Sequence, residues 1–153
     1  VSATTRTPRQ EDIEGVTYFF KTKEDFVSMI ENGDFLEWAE YNGNYYGTPI
    51  QAVEETLSIG YDVLLEIDVQ GAVNVMNKHR DGIYIFIAPP TVEILRERLC
   101  GRGSEQPDEI ERRIDAAEAE LKMKNKYDYI IVNDTLDDAV KEIKDIIERK
   151  DVL

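Results

Sequence analysis

Two arginines near the start of the chain have the spacing of an anion-binding pair. Arg6 and Arg9 are three residues apart, with Thr7 and Pro8 between them. A guanidinium group presents a planar fork of donors that matches phosphate oxygens, and proline stiffens the backbone between the two forks. The pattern predicts that both groups converge on one phosphate. The alternative is an exposed basic strand without a ligand.

A second candidate is the carboxylate of Glu37, which lies in the strand-like segment Phe35–Tyr41. Strand alternation predicts that Glu37 shares a face with Phe35, Ala39 and Tyr41, and an unpaired carboxylate would be costly to bury there. Such a carboxylate could accept two parallel hydrogen bonds from a purine with an N–H and an amino group on one edge, which is guanine. The alternative is a partly exposed carboxylate at a strand edge.

Further candidates are two tyrosines, a glycine-rich run and two carboxylates. Tyr18 and Tyr46 supply phenolic donors, although a buried tyrosine is usually a core residue with a satisfied hydroxyl. In the run Gly43–Thr48 the glycines predict a backbone open to a ligand. Glu66 and Asp68 end an apolar run typical of a parallel strand, and open α/β sheets bind ligands beyond the carboxyl ends of their strands. One acid at a strand end is a weak signal by itself.

The other arginines concentrate in one later segment. Seven of the nine arginines in the chain lie in two clusters, Arg6 with Arg9 and then Arg96, Arg98, Arg102, Arg112 and Arg113. The second cluster could form a local anion site, with the acidic remainder repelling non-specific polyanions. It could equally form solvated ion pairs along helix faces.

Length and composition limit the class of protein. The 153 residues carry 32 acidic and 18 basic side chains, a formal charge of −14, and 42% are hydrophobic, which suits one domain or a compact two-lobed unit. The acidity argues against a general nucleic-acid binder, and no apolar run approaches the ~20 residues of a membrane span. One histidine excludes a His-rich metal site. A single cysteine fits a reducing compartment, so we expect a cytoplasmic location.

Local signals predict the elements that must position these side chains. Thr22 is a helix N-cap and Asn32-Gly33 a helix end, Asn42-Gly43 is a hairpin turn, and Thr48–Gln51 has the pattern of a capping box with Pro49 at the first helical position. Gly60 closes that helix. Apolar strands alternating with helices then predict a parallel sheet covered on both faces. The predicted strands are Val63–Asp68, Ile83–Ile87 and Tyr129–Val132. The predicted later helices are one through Ala72, Val73 and Met76, one with Val92, Leu95 and Leu99, one from about Asp108 to Lys124, and a last one marked by Leu136, Val140, Ile143 and Ile147.

Several motifs together resemble the guanylate kinase family, in order over essentially the whole chain. They are Ser2-x-Thr4-Thr5-Arg6-Thr7-Pro8-Arg9, Phe35-Leu36-Glu37-Trp38-Ala39, Gly43-Asn44-Tyr45-Tyr46-Gly47-Thr48, Leu65-Glu66-Ile67-Asp68-Val69-Gln70-Gly71, Gly101-Arg102-Gly103 and Ile131-Val132-Asn133-Asp134. The resemblance implies transfer of the γ-phosphoryl group of ATP to GMP, giving ADP and GDP with Mg²⁺. Such transfer needs two nucleotides held in line while cations cover the moving charge.

The resemblance also implies roles for individual residues. Those that would hold the GMP phosphate are Arg6, Arg9, Tyr18 and Tyr46. Those that would read the guanine are Ser2, Glu37, Thr48 and one of the carboxylates Glu66 and Asp68, with Asp68 favoured. Those that match the lid and transition-state arginines are Arg98, Arg102 and Arg113. Arg102 and Asn133 would contact ATP, and no residue is assigned as a metal ligand.

For the fold, the resemblance implies a P-loop-type three-layer α/β core with a parallel sheet, joined to a small mixed α/β lobe. We expect the GMP-binding lobe at residues 3–57, the core at 58–95 and 125–153, and a mobile helical lid at 96–124. The partners implied are GMP and ATP, without nucleic acid or membrane, in a monomer or homodimer.

One family motif is missing. The family begins with a strand, a G-x-x-x-x-G-K-[ST] loop and a helix ahead of the Ser-x-x-Thr-Arg segment, and none of the chain's nine glycines lies in such a pattern. That loop cradles the ATP phosphates and its hydroxyl binds Mg²⁺. The chain also starts without methionine. We therefore expect a truncated or incompletely represented kinase that keeps GMP-site residues but not turnover.

Two other functions compete with this one. A guanylate-kinase-like scaffold domain would bind partner peptides in place of GMP, and the missing loop favours it, whereas the complete set of guanine and phosphate contacts does not. A kinase for another nucleoside monophosphate is disfavoured by Glu37, because a carboxylate at that position selects guanine.

Overall fold

The computed structural model describes residues 1–41, 43–101 and 107–150, and the chain divides into two compact units, Val1–Arg80 and Asp81–Leu153. Both units combine helices with strands, so the α/β fold class is confirmed. None of the described helices is long and apolar enough to cross a membrane.

The first unit contains a four-stranded mixed sheet with the strand order β2-β1-β4-β3. Strand β1 pairs in parallel with β2 and antiparallel with β4, and β3 and β4 form an antiparallel pair. This is the small mixed sheet that the sequence predicts. The elements are β1 (Ala3–Thr4), β2 (Phe19–Phe20), α1 (Lys23–Asn32), β3 (Phe35–Tyr41), β4 (Asn44–Pro49), α2 (Ile50–Ser58) and α3 (Val69–Lys78).

The first helix begins and ends as its sequence predicts. The Thr22 hydroxyl accepts a hydrogen bond from the Asp25 N–H at 3.1 Å, and Gly33 ends the helix with a φ of +75°, a conformation that favours glycine. Helix α1 buries Phe26, which stacks on Phe35 with 4.4 Å between ring centroids and on Tyr45 with 5.5 Å. These rings are the core on one face of the sheet.

A β-bulge separates Phe35 from Glu37 in β3. Phe35 pairs with Pro49 and Glu37 with Thr48, so the register between β3 and β4 shifts between them. Because side chains alternate along a strand, the extra residue turns Glu37 to the opposite face from Phe35. The Phe35 ring stacks in the core on Phe26, whereas the Glu37 carboxylate accepts a hydrogen bond from Thr48. The prediction that Glu37 and Phe35 share a face is wrong.

The two glycines of the hairpin differ: a Cβ atom on Gly43 would meet open space, whereas Gly47 is explained by packing. Gly43 has a φ of +75° in the turn, while its neighbour Asn42 lies outside the described residues. At Gly47 a Cβ atom would lie only 2.9 Å from the Phe35 ring and 3.1 Å from the Glu37 carbonyl oxygen. Gly47 is therefore required by the packing of a core ring against β4.

The predicted capping box at Thr48 is wrong. Thr48 is a strand residue of β4 whose hydroxyl donates to Glu37, and helix α2 begins at Ile50 with Pro49 as an N-cap that makes no side-chain bond. The carboxylate across the strand pair competes successfully for this hydroxyl because it is buried and needs a donor. The predicted end at Gly60 is close: the helix ends at Ser58, and Gly60 follows with a φ of +85°.

The predicted strand Val63–Asp68 is also wrong. No described strand pairs with these residues, and Leu64 is 86% exposed. An apolar segment becomes a strand only when a neighbouring backbone satisfies its hydrogen bonds. Asp68 instead is the N-cap of α3, where its Oδ1 accepts a hydrogen bond from the Gly71 N–H at 2.7 Å.

The second unit contains a two-stranded parallel sheet and three α-helices among the described residues. Strands β5 and β6 pair in parallel, as the sequence predicts. The first strand starts and ends slightly later than predicted, and the long charged helix ends three residues earlier and is followed by a 3₁₀ turn at Lys124–Lys126. The elements are β5 (Ile85–Ala88), α4 (Val92–Gly101), α5 (Pro107–Leu121), β6 (Tyr129–Val132) and α6 (Leu136–Lys150).

Helices α4 and α5, which carry Arg96, Arg98, Arg112 and Arg113, pack on each other through an apolar cluster. Leu99 of α4 is buried with Ile110 and Ile114 of α5, and Val92 and Leu95 pack at its edge. The two helices therefore form one packed element. The family resemblance implies that residues 96–124 close as a lid. This movement stays a prediction, and so do the boundaries of lobe, core and lid.

The contact between Gly47 and Phe35 can be tested by stability. We expect Gly47→Ala to lower the free energy of unfolding by about 1–3 kcal/mol, because the added methyl collides with a buried ring. Urea denaturation followed by the fluorescence of Trp38, the one tryptophan, measures this. Phe35→Leu makes room, so the double variant should be less destabilised than the sum of the single variants. Strict additivity would contradict the interpretation.

Candidate functional site

The segment that carries the first two arginines is fixed to β4 by two threonines. The Thr4 hydroxyl donates to the Tyr45 carbonyl at 2.9 Å and accepts from the Arg6 N–H at 3.1 Å, and the Thr5 hydroxyl accepts from the Tyr45 N–H at 2.9 Å. Thr4 is fully buried. The backbone that presents Arg6 is therefore anchored immediately before it leaves the sheet.

The guanidinium group of Arg6 is held on several sides. Its Nη2 donates to Asp12 Oδ2 and its Nη1 to the Thr7 carbonyl, both at 2.9 Å. Its Cζ lies 5.5 Å from the ring centroid of Tyr18 and 5.8 Å from that of Phe20, within the range of cation–π attraction. A guanidinium has five N–H donors, and these two hydrogen bonds use two of them.

Asp12 is a site residue that the sequence reasoning missed. Its Oδ2 accepts from the Arg9 N–H at 2.6 Å as well as from Arg6, so one carboxylate links the two arginines of the predicted phosphate site. The Arg9 N–H, more than any other contact, lowers the pKa of Asp12, and Arg6 adds to this. An aspartate three residues after Arg9 was the available signal, since Asp side chains commonly cap nearby backbone N–H groups.

The structure also brings Tyr18 to Arg6, and Tyr46 to Tyr18. Tyr18 and Tyr46 meet edge to face with 6.2 Å between ring centroids, and Tyr18 is the ring that faces Arg6. Arg9 lies in the adjoining loop, exposed. The four residues predicted to hold a phosphate thus belong to one group of neighbouring segments.

Glu37 belongs to a second group of predicted site residues. It is buried and lies on β3, which pairs with β4 on the side opposite β1. It is 7% exposed and Thr48, which donates to its Oε1 at 2.6 Å, is 6% exposed. Burial raises the pKa of Glu37, the Thr48 hydrogen bond opposes this, and the charge of Asp68 raises the pKa further. The site therefore holds a carboxylate whose charge is costly and which would gain from further donors.

The start of α3 contacts this carboxylate. A Cβ atom on Gly71 would lie 2.7 Å from Glu37 Oε2 and 3.4 Å from Asp68 Oδ1. Gly71, Ala72 and Val75 of the helix are buried, and α3 lies against β3. Of the two carboxylates that the sequence left open, Asp68 is the one electrostatically coupled to Glu37.

A cleft of about 250 Å³ in the first unit joins three of the predicted guanine-reading residues. Ser2, Thr48 and Glu66 line it, together with apolar side chains of α2 that include Ala52 and Val53. Glu66 is exposed. Thr48 is therefore shared by the cleft and by the Glu37 contact.

Strand β4 carries residues from both predicted sets, the set that would bind phosphate and the set that would bind guanine. Tyr46 and Thr48 are two residues apart, so they lie on the same face and about 7 Å from each other along the strand. Gly47, which lies between them, and Tyr45, which precedes Tyr46, face the core. One strand thus carries Tyr46, predicted to contact phosphate, and Thr48, predicted to contact guanine.

In the second unit, Arg98 and Asn133 are brought together. The Arg98 guanidinium donates from Nη1 to the Asn133 carbonyl at 2.7 Å and from Nη2 to the Asp134 carbonyl at 2.9 Å. Arg98 therefore links α4 to the loop that follows β6. The predicted catalytic arginine and the predicted ATP contact are neighbours, which their separation of 35 residues did not reveal.

The remaining arginines differ in their surroundings. Arg102, predicted both as a catalytic and as an ATP-binding residue, lies outside the described residues. Arg113 is half-buried on α5. Arg96 forms a two-pronged ion pair with Glu111 and lowers the pKa of that carboxyl. For Arg96, the interpretation as a helix-face ion pair is the one that the structure supports.

Comparisons with known proteins agree over nearly the whole chain. The family model described as guanylate kinase matches residues 1–150. Guanylate kinases from Halalkalibacterium halodurans and Bacillus subtilis are 51% and 50% identical over 147 residues, which are 96% of this chain and 72% of each relative. The crystal structure of guanylate kinase from Anaplasma phagocytophilum has 35% identity and a TM-score of 0.82, covering 98% of this chain and 73% of that one.

The raised pKa of Glu37 predicts a pH dependence of stability. The native state holds the proton of the Glu37 carboxyl group more tightly than the unfolded chain does, because in the unfolded chain this carboxyl has the usual pKa near 4.5. The contribution of Glu37 to stability is therefore present below that pKa and is lost as the pH rises through the native pKa.

We expect Glu37→Gln to remove the pH-dependent contribution of this residue to the free energy of unfolding. Relative to the variant, the unmodified chain should lose stability as the pH rises above 4.5, as measured by urea denaturation at each pH. Glu40→Gln, which neutralises an exposed carboxylate on the same strand, is the control and should leave the profile unchanged. The same dependence of stability on pH in the unmodified chain and in Glu37→Gln would contradict a raised pKa of Glu37.

Proposed function

The chain belongs to the guanylate kinase family, and we propose that it carries the GMP site and the arginine-bearing helices of an enzyme that transfers the γ-phosphoryl group of ATP to GMP. The observation that carries the proposal is the buried Glu37 carboxylate, held by Thr48 on the same strand that presents Tyr46.

Glu37 would recognise guanine. A guanine base offers N1–H and a 2-amino group on one edge, and each can donate to one carboxylate oxygen. Adenine has an acceptor at N1 and no 2-amino group, so it cannot supply this pair of donors to the buried carboxylate, and that loss is what makes such sites selective. Ser2, Thr48 and Asp68 would complete the contacts with the base, with Glu66 at the cleft.

Arg6 would hold the phosphate with Arg9, Tyr18 and Tyr46. Asp12 and the Thr7 carbonyl fix the guanidinium of Arg6 before any ligand binds, and its other three donors, which make no hydrogen bond to the described residues, would serve phosphate oxygens. A group that is oriented in advance loses little conformational entropy when it binds. The phosphate would thus be positioned as an acceptor of the transferred group.

The second unit would supply positive charge to the transferred phosphoryl group. Arg98, Arg102 and Arg113 are the proposed sources of this charge, and Asn133 and Arg102 the proposed contacts to ATP. Phosphoryl transfer depends on positioning and charge stabilisation more than on covalent chemistry by the protein. The Arg98 hydrogen bonds to the loop after β6 support its role beside the ATP contact.

We propose that Mg²⁺ accompanies ATP. Among the described residues there is no group of three or more His, Cys, Asp or Glu side chains placed to hold a metal ion. In kinases, Mg²⁺ is bound largely by substrate phosphates with one or two protein ligands, and it neutralises phosphate charge. The described residues supply no cage for it, so no step of the reaction is assigned to them through the metal.

We also propose a cytoplasmic monomer or homodimer that binds neither nucleic acid nor membrane. The single cysteine, Cys100, is exposed and unpaired with another cysteine, which supports a reducing compartment. The charge of −14 supports the absence of a polyanion-binding surface.

Calorimetric titration with nucleotides tests the recognition of guanine. We expect the chain to bind GMP more tightly than AMP, and Glu37→Gln to weaken GMP binding about 100-fold, about 2.7 kcal/mol, with little effect on AMP. Glu40→Gln, the exposed carboxylate of the same strand, should leave GMP binding unchanged. Failure to bind GMP at all would favour a scaffold domain that binds peptides, and equal binding by Glu37→Gln would exclude Glu37 as the guanine contact.

A coupled assay of ADP release tests turnover. The 153 residues contain no G-x-x-x-x-G-K-[ST] loop, and without its amides and lysine the ATP phosphates lack their cradle. We therefore expect these 153 residues alone to bind GMP but to release no ADP from ATP, GMP and Mg²⁺ above the rate without protein. Robust turnover would overturn this proposal while leaving GMP recognition intact.

A further inference from the structure

Gly71 lies at the closest approach between α3 and the Glu37 carboxylate. The position that a Cβ atom would occupy is 2.7 Å from Glu37 Oε2, a separation that real Cβ atoms essentially never show. The backbone of Gly71 is not free to retreat, because its N–H donates to Asp68 Oδ1 at 2.7 Å and the residue is buried in the first turn of the helix.

The carboxylate of Glu37 is equally constrained from the opposite side. Its Oε1 accepts the Thr48 hydroxyl at 2.6 Å, and Thr48 is itself fixed in β4, opposite Glu37. One oxygen is therefore held by a hydrogen bond and the other lies against the helix. Any side chain at position 71 would have to displace the second oxygen.

We propose that Gly71 is a positioning residue for guanine recognition: the absence of a side chain there lets the Glu37 carboxylate lie against the start of α3 in the orientation that accepts both guanine donors. This inference rests on the proposed role of Glu37. The partial positive charge at the N-terminal turn of a helix favours a carboxylate at this place, and Asp68 supplies the cap that keeps the turn in position.

A purely structural role for Gly71 makes a different prediction. Glycine is a poor helix former, and alanine in its place ordinarily favours the helix. If Gly71 served only the helix, Gly71→Ala would leave nucleotide binding unchanged. If Gly71 makes room for Glu37, the variant loses GMP affinity through a displaced carboxylate.

A double-mutant cycle in this chain, read by GMP and AMP titration, separates these cases. We expect Gly71→Ala to weaken GMP binding roughly tenfold and to leave AMP binding unchanged. Glu37→Asp shortens the side chain by one methylene and vacates the Cβ position, so in that background Gly71→Ala should change GMP affinity less than about twofold. Asn77→Ala, at an exposed position of the same helix, is the control and should bind GMP like the unmodified chain.

Four outcomes would overturn the proposal. An unchanged GMP affinity in Gly71→Ala, or the same loss in both backgrounds, would exclude positioning of Glu37 while leaving guanine recognition by Glu37 intact. Unchanged GMP binding in Glu37→Gln would instead overturn the recognition itself. If Gly71→Ala does not fold, the Glu37→Asp/Gly71→Ala variant should fold, and its failure to do so would show that the collision is not with Glu37.

Discussion

The burial of one carboxylate is the constraint on which the rest of the first unit depends. Glu37 is 7% exposed, and an ionised carboxylate without partners would be too costly at such a position. The Thr48 hydroxyl of β4 offsets part of this cost, whereas the charge of Asp68 at the start of α3 adds to it. Glu37 Oε2 lies where a Cβ atom on Gly71 would be only 2.7 Å away, so the strand pair and the start of the helix meet at this side chain.

The β-bulge in β3 is what lets one short strand serve two purposes. Phe35 must face α1, where it stacks on Phe26 and covers Gly47. Glu37 must face away from that core to meet Thr48 and α3. In a regular strand these two residues would share a face, and either the core ring or the carboxylate would be misplaced. The extra residue resolves this conflict, and bulges commonly re-aim a side chain near functional sites.

Much of the local structure could be predicted from the sequence, because its causes are local. The Thr22 cap and the Gly33 end depend on a few adjacent residues, and the parallel pairing of β5 with β6 follows from the alternation of apolar strands with helices. The bulge, the role of Thr48 and the unpaired segment Val63–Asp68 depend on partners distant in the chain, and a sequence pattern does not contain them. Thr48 is an example: its hydroxyl has a capping pattern, but a buried carboxylate across the strand pair takes it.

The two arginine clusters show why the kind of partner matters more than the number of charges. In a chain with a charge of −14, almost any arginine can find a carboxylate. Arg96 and Glu111 are 41% and 61% exposed, and such surface pairs contribute little to stability. The Arg6 side chain is 16% exposed and is oriented by Asp12, by a carbonyl and by two rings. A guanidinium that is held in this way but keeps unused donors is suited to bind an anion. The same fixed geometry would make Arg6→Lys a poor replacement, because a lysine ammonium cannot keep the fork that Asp12 orients.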